Sequence, residues 1–223
     1  MGNAIFYKEW AKTRKIFFCS LILSMAVAAY AVLMMNRLIT LKGVEHLWII
    51  MLLKDNMFVD IIKYVPLVIG MALGAAQMVP EMQHRRLKLT LHLPYPQNRM
   101  VTAMLSIGLG ELALIFAVQL AVLAAYDFTI LPYELVGRVV LTTMPWYFAG
   151  FVSYLFATAI CLEASWRMRV LLALIGTGVL MMFFLQQAPE AYNGVLLLMV
   201  VFICVLVFLS LGSVIRFKEG RQD

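Results

Sequence analysis

Six long windows carry no charge or a single one, and they decide the solvent of this chain before any motif is considered. They cover 16–35, 64–79, 101–126, 139–162, 170–185 and 195–215, the second and fifth being the shortest. A helix needs about 20 apolar residues to cross a hydrocarbon core. The windows are continuously apolar rather than alternating and exceed the roughly ten residues of a tilted barrel strand, which excludes a β-barrel. The chain is 64% hydrophobic and 13% charged, with mean hydropathy +0.92, above the roughly 45–50% apolar usage of soluble domains. The expectation is an all-α integral membrane protein: one domain over 1–223 with six transmembrane helices and an N-terminal amphipathic interfacial helix.

The first window is longer than the apolar core of a secretory signal, about 7–15 residues. It ends in Met34, Met35, Asn36 and Arg37 instead of a small-residue cleavage site, so it reads as a retained anchor. Cys19, Cys161 and Cys204 fall in or beside spans without metal-like spacing. The 16 methionines are scattered or doubled, as in Met181–Met182, and read as adaptable packing. No metal site and no catalytic group is expected.

With the N-terminus inside, residues 1–15, 80–100, 163–169 and 216–223 share one side and hold thirteen of the eighteen Lys and Arg residues. The positive-inside rule places that side, with both termini, in the cytoplasm. Anionic membrane lipid is then the partner of the basic residues, and the net charge of +6 needs no nucleic acid. At 100° per residue Phe6, Trp10, Thr13 and Phe17 form one stripe while Lys8, Lys12 and Lys15 lie opposite. This predicts an interfacial helix over 1–15, anchored by Phe6, Trp10, Lys8 and Lys12 and joined to the first span by an elbow. In the external connection over 37–63, Leu47–Leu53 is too short to span and too apolar for water, so a short helix at the outer interface is expected, with Trp48 at headgroup depth.

The stretch between the second and third spans is the most unusual. Over 81–99 it runs from Glu81 through a basic cluster, Arg85, Arg86 and Lys88, then alternating leucines including Leu91, to Pro94-Tyr95-Pro96 and Arg99. An inner connection between helices needs only a few residues. Its leucines alternate as a strand's would, while its place between two spans favours a short helix, which is the expectation here.

The order of these features resembles the permease subunits of ATP-binding-cassette exporters of the ABC-2 type: an N-terminal helix with Lys8-Glu9-Trp10, a span, an acidic residue after the second span, a basic stretch, Leu91-His92-Leu93-Pro94, and a positively charged entry to the third span. Where that family has Gly-Thr before the leucines, this chain has Lys88-Leu89-Thr90. The resemblance covers the whole chain as a layout. It implies that Glu81, Arg85, Arg86, Lys88 and Leu91 belong to a coupling helix seated on an ATPase subunit, and that Glu163 and Arg167 make a second, smaller contact. It also implies a bacterial cytoplasmic (inner) membrane, a second permease subunit, identical or not, and ATP with Mg on the partner. The chain has no Gly-Lys pair and hence no G-x-x-x-x-G-K-[ST] loop of its own.

Glu111 is the one ionisable residue inside a window. Twelve positions after Arg99, it lies about 18 Å along a helix. A carboxylate at that depth is either neutral and hydrogen-bonded for packing or set in a wet translocation path or dimer seam, with Gln77 and Gln119 as available hydrogen-bond partners. Gly70-x-x-x-Gly74 and Gly108-x-Gly110 allow close helix approach. Glu163 and Arg167, at i,i+4, are expected to pair on a short inner helix.

Two other classes fit less well. An intramembrane enzyme would need a paired-carboxylate or nucleophile constellation, and His84 and His92 lack acidic companions beyond Glu81. A six-span substrate-binding subunit of an energy-coupling-factor importer matches in size, but Ala26, Ala28, Ala29 and Ala31 do not make the Ala-x-x-x-Ala spacing of those subunits.

Overall fold

The computed structural model describes residues 2–53, 58–83, 97–163, 165–186 and 188–219. Seven α-helices stand there: α1 (Gly2–Lys42), α2 (Val44–Leu53), α3 (Val65–Met82), α4 (Gln97–Asp127), α5 (Tyr133–Leu162), α6 (Trp166–Met182) and α7 (Leu196–Glu219). Strands are absent among the described residues. Four segments are long and apolar enough to cross a membrane: Ile5–Lys42, Asp60–Met82, Arg99–Asp127 and Tyr133–Leu162. α6 is shorter, at 17 residues, and the apolar part of the last helix, Asn193–Phe208, also falls short. The seventh helix is α2, in the connection where a short helix was expected.

One expectation is corrected outright. The interfacial segment 1–15 and the first span do not meet at an elbow; both belong to the single 41-residue helix α1. Between Gly2 and Gly43 the chain has neither Gly nor Pro, and Lys, Glu, Arg, Leu and Ala are good helix formers, so nothing local breaks the hydrogen-bond ladder. The helix stops at Gly43, whose φ of +82° is a left-handed conformation that only glycine adopts cheaply, and whose amide donates to the Ile39 carbonyl at 2.8 Å. α2 then folds back, burying Leu47 and Met51 against Ala28, Ala31 and Met35 of α1 while Trp48 stays exposed.

α5 is the central pillar, with 72% of its apolar window buried, against 28% for α1. It crosses α3 at glycines: a Cβ at Gly74 would lie 2.9 Å from the Tyr154 carbonyl oxygen, and one at Gly150 would lie 2.9 Å from that of Pro66. A Cβ at Gly70 would run into the backbone of Gly150. Only hydrogen fits at these points, so the two backbones touch. Ser153 Oγ adds a bond across the crossing to the Leu67 carbonyl at 2.9 Å. Outward, α1, α6 and α7 present Ile22, Leu33, Leu174, Met181, Leu197 and Phe208, all exposed. Faces this apolar suit lipid, since soluble monomers rarely expose large contiguous apolar patches.

Candidate functional site: a buried polar cluster at one end of the bundle

α1 and α4 run in the same direction. Thr13 Oγ1 donates to Glu111 Oε1 at 2.6 Å, and eleven residues further along α1 the Ser24 carbonyl accepts from Gln119 Nε2 at 3.1 Å. α3 runs against them, so its last turns bring Gln77 and Glu81 beside the first turns of α1. Helix periodicity puts Glu9, Lys12 and Thr13 on one face, three and four residues apart. That face turns inward: Glu9 is 0% exposed and Thr13 is buried.

Lys12 is the hub of the ionic part. Its ammonium lies 2.7 Å from Glu9 Oε1 and 2.8 Å from Glu81 Oε1, and donates a longer bond to the Gln77 carbonyl at 3.4 Å. Lys8 approaches the same Glu81 oxygen at 2.8 Å from the rim. Lys12 is 15% exposed at its side chain, Lys8 43% and Glu81 1%. The two lysines therefore clasp the end of α3 to the start of α1.

Deeper in, the cluster continues as a hydrogen-bond chain that ends on Glu9. Tyr154 OH on α5 donates to Gln77 Oε1 at 2.6 Å, and Gln77 Nε2 donates to Glu9 Oε2 at 3.0 Å and to the Met104 carbonyl at 2.7 Å. All three side chains of this relay, Tyr154, Gln77 and Glu9, are buried, where an unmade bond costs more than a made one contributes. Gly108 on α4 makes room for it: a Cβ there would overlap the Tyr154 hydroxyl and come within 2.5 Å of Gln77 Oε1.

The site residues anticipated from sequence divide unevenly. Glu81, Gln77, Glu111, Lys8 and Lys12 come together here, with Trp10 and Phe6 on the adjoining flank. Gln77 does not bond to Glu111, because Glu9, Met104 and Tyr154 take up its amide; Glu111 is met by Thr13. Gln119 lies two turns away on the Ser24 carbonyl. Lys8 and Lys12, read as headgroup anchors, lean on carboxylates within the chain. Arg85, Arg86, Lys88 and Leu91 lie outside the described residues. The short inner helix for Glu163 and Arg167 is not formed: Glu163 closes α5 in an extended conformation (φ −71°, ψ 136°), while Arg167 lies in the first turn of α6, which starts at Trp166. There the Glu163 carbonyl accepts from Arg169 Nε at 2.8 Å.

Glu9, Thr13 and Tyr154 carry the cluster without having been assigned a role in it. A signal for the first existed, a Glu9-x-x-Lys12 pair beside an apolar stripe, but assigning the segment to the membrane surface hid it. For Tyr154 none existed, since a tyrosine in an apolar span looks like packing. No protein-family model matches the chain, and neither a curated protein nor a solved structure does.

Proposed function

We propose that this chain is the membrane-spanning subunit of an ATP-binding-cassette exporter, with six spans, both termini in the cytoplasm, and a separate ATPase subunit that binds ATP and Mg. α6 and α7 supply the last two spans, and a second permease chain completes the path. The reading rests on the layout that resembles ABC-2 permeases and, in the structure, on one observation: the Lys8 and Lys12 clasp on Glu81. Glu81 lies two residues before the segment leaves α3 toward the basic loop, so a displacement of that loop is carried directly to α1. In this scheme the loop residues Arg85, Arg86, Lys88 and Leu91 meet the ATPase, and Glu163 with Arg167 makes the lesser contact. Glu81, turned inward, relays the movement instead of touching the partner.

The experiment is purification of the tagged chain from its own cells in mild detergent. A P-loop ATPase is expected to accompany it and to be lost from Arg85→Ala/Arg86→Ala. Glu81→Gln is expected to keep the partner while leaving its ATP hydrolysis insensitive to the permease. A chain that purifies alone with a tightly held vitamin-sized molecule would instead be the substrate-binding subunit of an importer.

A further inference from the structure

A cavity of about 340 Å³ opens on the flank between α1 and α4, beside the polar cluster. Three aromatic rings from α1 line it, Phe6, Trp10 and Phe17; α4 contributes Ile107, Leu114 and Glu111. Trp10 and Phe17 are held with ring centroids 5.2 Å apart. Phe6 and Leu114 are exposed, so the opening faces sideways, where the outward apolar surface meets lipid. Of the polar side chains here, Ser106 spends its hydroxyl on the Ala103 carbonyl at 2.9 Å. Glu111 is different: it is 6% exposed, Thr13 satisfies Oε1, and Oε2 has no hydrogen-bond partner.

Charge points the same way. The cluster joins two ammoniums, Lys8 and Lys12, to Glu81 and Glu9, and these four groups balance. Glu111 is the third carboxylate and has no cation of its own among the described residues. An unmatched carboxylate in an aromatic-lined recess is complementary to an ammonium group, which gains the carboxylate's attraction and the negative faces of the rings together. We infer that this cavity binds a lipophilic ammonium cation that enters from the surrounding lipid. A zwitterionic phospholipid headgroup does not fit, because its phosphate would arrive with the amine and, among the described residues, no Lys or Arg lines the cavity to receive it. The volume falls at the lower end of the roughly 300–1,000 Å³ of small-molecule sites, which suits a single-headed amphiphile. Calling that cation the exported cargo rests on the permease reading; the binding itself does not.

The test uses the full chain in dodecyl maltoside with tritiated dodecyltrimethylammonium as the probe. Saturable binding at one site per chain is expected, resisting competition by dodecanol, which has the tail without the charge. Glu111→Gln is expected to weaken it by about tenfold or more. Gly110 lines the cavity and a Cβ there would meet nothing within 4 Å, so Gly110→Leu adds bulk at the recess from a position whose first carbon has open space. It is expected to abolish binding with an unchanged thermal transition, and it decides the matter if Glu111→Gln does not fold. Equal binding by Glu111→Gln or Gly110→Leu, or equal competition by dodecanol, overturns the proposal. Displacement by lysophosphatidylethanolamine at matched concentration overturns the choice of occupant. An ATPase that still co-purifies with Gly110→Leu separates failure here from failure of the permease reading.

Discussion

α3 touches two neighbours in opposite ways. Against α5 it presents Gly70 and Gly74, and the helices meet backbone to backbone, with Ser153 bonding across that crossing to the Leu67 carbonyl and Tyr154 bonding to Gln77 further along. Against α1 it presents Gln77 and Glu81, and the helices are held apart by side chains whose charged ends do the joining. The glycine crossing leaves little room for adjustment, because backbone meets backbone at Gly70, Gly74 and Gly150. The clasp leaves more, since lysine stems are long and can follow a carboxylate. Of the two contacts, the clasp is the one whose side chains could follow a shift of α3 against α1.

Breaking each contact tests that contrast. The largest effect is expected from Lys12→Met, which leaves the buried Glu9 without its cation and Glu81 with only Lys8 from the rim: a loss of about 3–5 kcal/mol by analogy with other broken buried pairs, read by thermal unfolding in detergent. Adding Glu81→Gln is expected to recover part of it, and a strictly additive double variant would show that the pair does not couple. Gly70→Leu comes next, costing on the order of 1–3 kcal/mol or more through overpacking, with no compensating charge change able to rescue it. Wild-type stability for that variant would mean that the crossing is looser than its geometry implies. Tyr154→Phe is expected to cost about 1–3 kcal/mol by leaving Gln77 Oε1 without its donor. The smallest effect belongs to Lys8→Ala, at most about 1 kcal/mol and fading with added salt, because this lysine reaches the same carboxylate from an exposed position. A Lys8 effect equal to that of Lys12 would place the clasp in a drier setting than its exposure indicates.

Much of the fold was legible from residues 64–79, 101–126 and 139–162, where continuous apolar runs leave a helix no alternative and the structure extends each by a few residues. Gly70 and Gly74 were legible as a close-approach pair; that Gly150 is their counterpart was not, because a crossing point depends on the relative position of two helices. Hydropathy misread the start of α1 for a physical reason: charged residues end an apolar window without ending a helix. Once residues 1–15 were laid on the membrane surface, Glu9 and Lys12 could not be matched with Gln77 and Glu81, more than sixty positions away. Glu111 stood out through its solvation cost alone, whereas its partner, Thr13, is an ordinary residue made specific only by position.

The unbroken α1 has a mechanical meaning. At about 1.5 Å per residue, its 41 residues form a rod of roughly 60 Å, longer than the hydrocarbon layer is thick. A rod does not absorb a tilt; it magnifies it. Rotating the Lys8 end by about 10° about a pivot near Glu9 sweeps the Gly43 end sideways by several ångströms, by the arithmetic of its length. α2, hung from Gly43 and packed on the far end of the same helix, would travel with it, so a tilt of α1 would be felt at both ends of the rod at once.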